Sequence, residues 1–412
     1  MSPQPLDRAL AARLPVPGER TLVVLTGARQ VGKTTLARAR YPELRYVSMD
    51  VAEDRELVRT LRTRAWGATL GPTVLDEAQK EPALFDKVKH AFDERTIDFS
   101  VILGSAQIAL LRNISESLAG RTLVFELWPL LLAELAESPG LLPGLRAGTE
   151  PLHALLAGEP EILPSADEEP RARAFEHLAE WGGMPALLRL GPERRRDWLR
   201  SYAQTYLERD LMDLARLDDL QPFRTFQRLA ALRAAQRLSF AELGRDAGVS
   251  AKTARNYLEY LRISYHAFLL QPYFENLTSA AVKTPKLYWT DVGLLRQVSG
   301  QQGPLTGPGF ENLVVAEVVK DLRTSGAPAT AWYYATRSGL EVDLLLQTED
   351  RLLGIEIENR ERVAAADARG LRALARSLGP RWRGGMVVYR GRALRRLDEA
   401  RDIWAVPVWR LL

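Results

Sequence analysis

The sequence predicts an α/β protein in three parts: a doubly wound parallel sheet, a helical middle region and a second α/β domain. Short apolar, β-branched runs alternate with helical patterns near the start of the chain, in TLVVLTG at residues 21–27 and then in LRYVSMD, TVLDEA and FSVILGSA. Such alternation implies right-handed strand–helix–strand units whose strands are buried on both faces. The pattern is almost wholly helical over residues 185–271, and strands return after Leu287.

Domain boundaries follow from changes in composition. We assign residues 1–136 to the first α/β domain, 137–184 to an insertion or linker, 185–285 to the helical region and 286–412 to the second α/β domain. Prolines and glycines are frequent over residues 137–170, and this composition favours a surface insertion.

The bulk composition excludes several classes of protein. Because the chain has no cysteine, it contains neither a disulfide framework nor a thiolate zinc site. No apolar run reaches the roughly 18 residues that a membrane-spanning helix needs, and the N-terminus lacks the pattern of a secretory signal. We therefore expect a cytoplasmic protein without a membrane partner. The net charge of +4 permits a nucleic-acid partner without requiring one.

A phosphate-binding loop follows the first apolar strand. The run GARQVGKT matches the pattern G-x-x-x-x-G-K-[ST] and leads directly into the helical run TTLARAR. Its glycines let the backbone turn N–H groups toward phosphates, and the helix N-terminus favours the negative charge. Lys33 is expected to reach the β- and γ-phosphates, and the Thr34 hydroxyl is expected to bind Mg²⁺. The residues predicted to bind ATP are Gly27, Ala28, Arg29, Gln30, Val31, Gly32, Lys33, Thr34 and Thr35.

Two carboxylates end a later strand, VLDE at residues 74–77. Asp76 is expected to lie beside the magnesium ion bound by Thr34, and Glu77 is expected to polarise the attacking water as a general base. The alternative is a pair of solvated acids at a strand end. The presence of both residues favours ATP hydrolysis over nucleotide binding alone.

Two further residues are candidates for contact with phosphate. Ser105 follows the strand in VILGSA and is either a sensor of the γ-phosphate or a plain turn residue. Arg121, in SLAGR, is a candidate arginine finger that acts across a subunit boundary.

These motifs together resemble a known family, the bacterial and archaeal AAA-type ATPases that carry a C-terminal domain of unknown function (DUF4143-like). The matching runs are GARQVGKTT (27–35), DEAQ (76–79), LGSA (103–106), SLAGR (117–121), GGMP (182–185), LERDL (207–211), DVGL (291–294) and FEN (310–312). The resemblance covers nearly the whole chain in the same order, and it implies a homo-oligomer such as a ring. The family's TGSS strand end reads LGSA here, so only Ser105 is carried over as a sensor.

The middle region contains a helix–turn–helix pattern at residues 240–261. Gly248 supplies the turn and Ser250 is a good N-cap for the second helix. Apolar residues in that helix recur at the i, i+3, i+4, i+7 spacing of a buried face. This spacing leaves three polar residues on the outward side, where they would enter a major groove: Lys252, Arg255 and Asn256. The following FLLQPYF is a candidate wing. The alternative is a winged-helix-like packing module that serves as a lid or hinge.

The last domain resembles the metal-binding strands of restriction-endonuclease-like domains. Asp343 in EVD and Glu356 in EIE match two metal ligands, and Glu311 is a candidate third. The lysine expected at the end of the E-x-K motif is replaced by Glu358, which adds negative charge where phosphate must approach. We therefore predict a degenerate, non-cleaving domain, in which Arg337 or Arg360 are alternative partners for the acids.

Three hypotheses of function follow. The leading one is a Mg²⁺-dependent ATPase that acts on nucleic acid, with DNA favoured over RNA. The second is a nucleotide-gated switch that controls assembly with a protein partner, and the third is an ATP-regulated nuclease.

Overall fold

The computed structural model describes residues 6–104, 118–136, 168–207, 220–274, 284–337 and 339–411. The chain divides into two compact units. The first unit comprises Met1–Leu130 and Ile263–Tyr265, and the second comprises Leu131–Arg262 and His266–Leu412.

The first unit contains the strands β1 (Thr21–Thr26), β2 (Arg45–Ser48), β3 (Thr73–Asp76), β4 (Phe99–Gly104) and β5 (Thr122–Glu126). They form one sheet in the order β2-β3-β4-β1-β5. All of its pairings are parallel, which confirms the predicted parallel α/β sheet.

Helices connect these strands. They are α1 (Lys33–Arg40), α2 (Ala52–Thr60), α3 (Trp66–Thr69) and α4 (Ala83–Asp93), with 3-10 turns at Ala9–Arg13, Thr63–Ala65 and Ala78–Lys80. Since parallel strands are covered on both faces, β1 reads as a continuous apolar run, and Leu22–Leu25 are all buried. The carboxyl ends of β1, β3 and β4 meet at one edge of the sheet, the usual place for a ligand in such folds.

The helices of the second unit are α5 (Leu132–Ala136), α6 (Glu168–Trp181), α7 (Pro192–Tyr202), α8 (Gln221–Leu232), α9 (Phe240–Asp246), α10 (Ala251–Ile263), α11 (Val292–Ser299), α12 (Gly307–Ser325), α13 (Arg369–Leu378) and α14 (Val408–Leu411). Short 3-10 turns lie at Pro185–Arg189, Ala365–Ala368 and Gly379–Arg381, and a π-helical turn at Ala203–Leu207.

Two sheets belong to the described part of the second unit. Its strands are β6 (Gln236–Arg237), β7 (Ala267–Leu270), β8 (Lys286–Trp289), β9 (Thr330–Ala335), β10 (Glu341–Thr348), β11 (Arg351–Glu358), β12 (Trp382–Tyr389), β13 (Arg395–Asp398) and β14 (Ile403–Pro407). The smaller sheet has the order β6-β8-β7 and the larger has the order β13-β14-β12-β11-β10-β9. Strand β8 therefore pairs with strands of the middle region, although it follows the boundary predicted between residues 285 and 286.

The described part of the predicted insertion is not a loop. Residues 168–181 form helix α6, whose buried residues recur at helical spacing and include Arg171, Ala174, Phe175 and Leu178. The proline-rich composition of residues 137–170 gave no sign of this helix, and the assignment of residues 137–184 to an insertion or linker stays a prediction.

Two of the family motifs pack against each other in the second unit. Asp291 accepts hydrogen bonds from the backbone N–H groups of Gly183 (2.7 Å) and Leu294 (2.9 Å). A Cβ atom at Gly182 would lie 2.2 Å from Asp291 Oδ1, and one at Gly293 would lie 1.9 Å from the carbonyl oxygen of Trp181. The GGMP and DVGL runs therefore fix the close approach of α6 and α11. Within the described residues, no helix is long and apolar enough to cross a membrane.

Candidate active site

The phosphate-binding loop lies between β1 and α1, as its sequence predicts. Gly27 has φ +148°, and a Cβ atom there would lie 2.1 Å from the carbonyl oxygen of Leu127. Gly32 has φ +99° and caps α1 in the left-handed region. Both positions therefore require glycine, and Gln30 at φ +60° adds a third left-handed residue to the loop.

The Lys33 ammonium lies inside the loop. Its side chain is buried, and Nζ donates to the carbonyl oxygens of Gly27 (2.9 Å) and Ala28 (2.8 Å). These bonds hold the cation at the N-terminus of α1, where helix and lysine both favour negative charge. Phosphate oxygens bound here would compete for the same ammonium protons.

Thr34 and Asp76 lie together at the edge of the sheet. Thr34 Oγ1 donates to Asp76 Oδ2 at 2.6 Å, and the Asp76 side chain is buried at the end of β3. A hydroxyl and a carboxylate are hard oxygen ligands, and Mg²⁺ is commonly held by one or two such groups together with phosphate and water. The two side chains therefore fit a magnesium ion bound with ATP, and their assignment as its ligands stays a prediction.

Glu77 occupies a strained position next to Asp76. Its φ is +51°, in the left-handed region that a residue with a side chain seldom adopts. The backbone N–H of Glu77 donates to Asp76 Oδ1 at 2.9 Å, and Gln79 Nε2 donates to Glu77 Oε2 at 2.5 Å. Strain and hydrogen bonds together fix the carboxylate beside the predicted magnesium ligand.

Two residues of this site were missed by the sequence analysis. Tyr46 of β2 donates a hydrogen bond from its hydroxyl group to Asp76 Oδ2 at 2.7 Å. Burial is the main cause that raises the pKa of Tyr46 to about 12, and this hydrogen bond is the second. Tyr46 is therefore a neutral donor that supports the Asp76 charge. Arg8 donates to the carbonyl oxygens of Val31 (2.7 Å) and Trp128 (2.6 Å) and so braces the loop. Both residues lie outside every motif.

Comparison with known proteins establishes the family. The family model described as an AAA domain matches residues 19–136, a domain of unknown function (DUF8612) matches 172–304, and another (DUF4143) matches 306–411. Uncharacterized proteins of Mycobacterium bovis and Mycobacterium tuberculosis are 30% identical over 348 residues, which cover 82% of this chain and 70% of each relative. This chain belongs to the family of AAA-domain proteins with a C-terminal DUF4143 domain.

Solved structures show more distant similarity. The Walker-type ATPase of Pyrococcus abyssi is 17% identical with a TM-score of 0.43, and the match covers 67% of this chain and 90% of that one. A signal transduction ATPase with numerous domains and a tetratricopeptide repeat sensor, from Pyrococcus horikoshii, is 10% identical with a TM-score of 0.25; the match covers 74% of this chain and 45% of that one. Neither match is close enough to carry a functional argument.

In this AAA-domain protein, Arg121 is not brought to the phosphate-binding loop. Its guanidinium forms two hydrogen bonds with the Asp93 carboxylate, at 2.6 and 3.0 Å, and another with the carbonyl oxygen of Ala119. The bond to Arg121 lowers the pKa of Asp93 below its usual value. A role across a subunit boundary stays a prediction. Ser105 lies outside the described residues.

The middle region has the predicted helical face. In α10, Ala254, Tyr257, Leu258 and Leu261 are buried, and this confirms the predicted spacing. The opposite face exposes the three candidate DNA contacts, Lys252, Arg255 and Asn256. The Ser250 hydroxyl accepts from the Thr253 N–H at 3.0 Å, as the capping prediction requires.

The candidate nuclease acids of the DUF4143 region do converge, but they surround a lysine from another strand. Lys286 of β8 is buried, and its Nζ lies 2.9 Å from Glu311, 2.6 Å from Glu341 and 3.5 Å from Asp343. Glu356 lies close enough to Asp343 for that carboxylate to raise its pKa. The shared partner of these acids is therefore Lys286 and not Arg337 or Arg360. Glu341 also pairs with Arg237, and Arg360 pairs with Glu358 and Asp367.

Electrostatics explain why this cluster tolerates burial. Burial disfavours the charge of Lys286, but the surrounding carboxylates outweigh it and raise the pKa of this ammonium above its usual value. Burial is the main cause that raises the pKa of Glu311 to about 7 and that of Glu356 well above its usual value. The negative charge of Asp343 is the second cause in both cases. Within the described chain, no group of three or more histidine, aspartate or glutamate side chains has the geometry of a metal site. The cluster can neutralise itself without a metal.

Replacement of Lys286 by methionine is expected to destabilise the protein by about 3–5 kcal/mol, because removing one partner leaves buried charges unpaired. The loss should be largest near pH 8. It should shrink toward pH 5.5, because Glu311 (pKa about 7 beside Lys286) is then protonated in both folded proteins, whereas at pH 8 only the wild type can ionise it against the ammonium. Denaturant unfolding at both pH values measures this effect.

A matched variant is Lys80→Met, which removes the more exposed ion pair with Asp50 and should cost about 1 kcal/mol or less. Equal losses in the two variants would contradict the account of the buried cluster.

Proposed function

We propose that this AAA-domain protein binds ATP with Mg²⁺, hydrolyses it with Glu77 as the general base, and couples hydrolysis to action on nucleic acid. One observation carries the catalytic part. Lys33, Thr34, Asp76 and Glu77 lie at the same carboxyl edge of a parallel sheet, with Thr34 and Asp76 2.6 Å apart. Membership in the AAA family supports the same activity.

Each side chain has a defined task in this mechanism. Lys33 and the loop N–H groups bind and orient the β- and γ-phosphates. Thr34 and Asp76 would hold Mg²⁺, which neutralises charge on the transferred phosphoryl group when it is bound. Glu77 accepts a proton from the attacking water, and its hydrogen bond with Gln79 fixes the carboxylate for that transfer.

The middle region supports the nucleic-acid part. The order α8, β6, α9, α10, β7, β8, with a sheet ordered β6-β8-β7, supports the proposal of a winged-helix-like module. In such modules the second helix of the pair enters a major groove, and α10 exposes Lys252, Arg255 and Asn256 there. We therefore favour duplex DNA over RNA as the partner, because the deep, narrow major groove of RNA does not admit side chains.

The chain just after α10 supports coupling to the nucleotide. Residues Ile263–Tyr265 belong to the first unit. Tyr265 donates its hydroxyl proton to Thr26 Oγ1 at 3.2 Å and packs edge-on against Trp128. Thr26 is the last residue of β1, immediately before the phosphate-binding loop. Tyr265 therefore contacts, within the first unit, the strand that precedes the phosphate-binding loop.

Duplex DNA is expected to raise the ATPase rate several-fold, and the effect should weaken steeply with salt because phosphate contacts release counterions. The Lys252→Ala/Arg255→Ala double variant should lose the stimulation, keep the basal rate and reduce the salt slope by about two. The measurement is ATP turnover with single-stranded, duplex and branched DNA and with RNA.

The exposed Arg245 of α9 provides the control, because its replacement by alanine should leave the stimulation intact. Basal turnover that no nucleic acid changes would contradict the nucleic-acid part alone and would favour a nucleotide-gated switch with a protein partner. We further propose the homo-oligomer, such as a ring, that the family resemblance implies.

We propose that the DUF4143 region does not cleave nucleic acid. The position of the E-x-K lysine is Glu358, and the buried lysine that the fold supplies, Lys286, is already paired with the acids. Metal-dependent cutting that is lost in Asp343→Asn would contradict this assignment and support an ATP-regulated nuclease.

A further inference from the structure

The second unit contains a cavity of about 830 Å³ that the ATPase mechanism does not use. It lies among α6, α7, α11 and the loop at residues 301–305, and its lining includes residues that follow β11 and β12. This volume is in the range of roughly 300–1,000 Å³ that ordinary small-molecule sites occupy. All of its lining residues belong to the second unit, so it is separate from the phosphate-binding loop.

Positive charge dominates the lining. Four arginines reach the cavity, Arg196, Arg200, Arg296 and Arg390, against the two acids Glu176 and Glu180. Arg296 is held in place by hydrogen bonds to the carbonyl oxygens of Ala179 (3.2 Å) and Gly303 (2.7 Å). Arg196 and Arg390 are exposed, and neither has an ion pair among the described residues. A guanidinium group suits planar, bidentate contact with phosphate.

One buried acceptor in the lining lacks a hydrogen-bond donor. Asn359 Nδ2 donates to the carbonyl oxygen of Leu305 at 2.7 Å, and this bond fixes the orientation of the amide. Asn359 Oδ1 is then buried without a partner. A buried acceptor of this kind requires a donor, and a ligand O–H or N–H group would supply one.

Apolar side chains form another part of the wall. Phe175, Leu199, Leu305 and Phe310 line the cavity. An anion as small as inorganic phosphate would leave this surface uncovered. A ligand that carries phosphate, a planar apolar body and a donor group matches all three features of the lining.

From this combination we propose that the cavity binds a nucleoside phosphate, either as a free nucleotide or as the terminal nucleotide of a strand. The phosphate contacts Arg196 and Arg390, the base lies against the apolar wall, and a base or sugar donor reaches Asn359 Oδ1. The proposal does not depend on ATP hydrolysis. It also gives a role to the arginine-rich start of α7, which the DNA-binding face of α10 leaves unexplained.

The test uses the full chain with Lys33→Ala, so that the phosphate-binding loop contributes no nucleotide binding. Calorimetric titration with AMP, with ADP and with a short single-stranded oligonucleotide, 5′-phosphorylated or not, should show one saturable site for at least one phosphorylated probe. Adding Arg196→Ala and Arg390→Ala should weaken that binding by about tenfold or more. Adding Arg194→Ala, which changes an exposed arginine of α7 outside the lining, should not.

The probes distinguish the source of the ligand. Binding of AMP or ADP supports a free nucleotide, and binding of only the 5′-phosphorylated strand supports a strand end. The proposal is overturned if no phosphorylated probe binds, if inorganic phosphate binds as tightly as the nucleotides, or if the double variant binds as well as Arg194→Ala. Unchanged melting temperatures confirm that the variants are folded.

Discussion

Replacement of Lys33 by alanine is expected to lower ATP turnover by about a thousandfold or more. Lys33 is buried, and two carbonyl bonds hold its ammonium inside the loop. The charge is therefore in place before the nucleotide arrives, and it is positioned where negative charge develops on the phosphoryl group. Steady-state phosphate release, together with a nucleotide-binding titration, measures the loss.

The matched control is Lys89→Ala, which removes a partly buried lysine of α4 away from the loop. Its turnover should equal that of the wild type. Turnover within about tenfold of the wild type in Lys33→Ala would show that the measured hydrolysis does not arise at this loop.

Replacement of Glu77 by glutamine is expected to lower turnover by about 10²–10⁴-fold, the usual contribution of a general base. Glutamine keeps the size of the side chain but cannot accept the proton of the attacking water. The other nucleotide contacts remain, so ATP should stay bound with nearly unchanged affinity. Rapid-quench hydrolysis of a preformed complex separates the two effects.

Glu56→Gln is the control here, because it neutralises an exposed acid of α2 and should not change turnover. Brisk hydrolysis in Glu77→Gln would assign the base to another residue. Loss of both binding and turnover would instead show that the Glu77 position is structural, as its left-handed backbone conformation would then suggest.

The catalytic set was predictable from the sequence because it depends on local rules. A loop that fits the phosphate pattern after an apolar strand fixes Lys33 and Thr34, and a second strand ending in acids fixes Asp76. Parallel strands bring their carboxyl ends to one edge, so the 2.6 Å contact between Thr34 and Asp76 follows. The exposed face of α10 was predictable for a similar reason, since helical spacing separates its buried and exposed sides.

Contacts that depend on tertiary packing were not predictable. Arg8 precedes β1 and lies in no motif, yet the fold places its guanidinium against Val31 and Trp128. Tyr46 lies in β2 and reaches Asp76 because β2 pairs with β3. Each residue type is common in such segments, so the sequence alone gave no reason to select it.

The C-terminal acids show a different failure. Their convergence was predicted, but the predicted positive partners, Arg337 and Arg360, were residues near them in the chain. Lys286 comes from β8 of the smaller sheet. A signal was present, since Lys286 is a rare lysine at the start of the apolar run KLYW in a chain whose basic residues are nearly all arginine. Strands β13 and β14 have no clear strand pattern in the sequence, because an arginine-rich edge strand and a strand ending in proline lack clear alternation.

The most direct test of the central claim is single-turnover hydrolysis of bound ATP by the purified full chain with Mg²⁺. The wild type should convert the bound nucleotide to ADP and phosphate, and Lys33→Ala should retain little ATP. Glu77→Gln should retain ATP and convert it more slowly by about 10²-fold or more. Equal conversion rates in the wild type and Glu77→Gln, or bound ATP that the wild type leaves intact, would contradict the claim that this loop and its two carboxylates form an ATP-hydrolysing site.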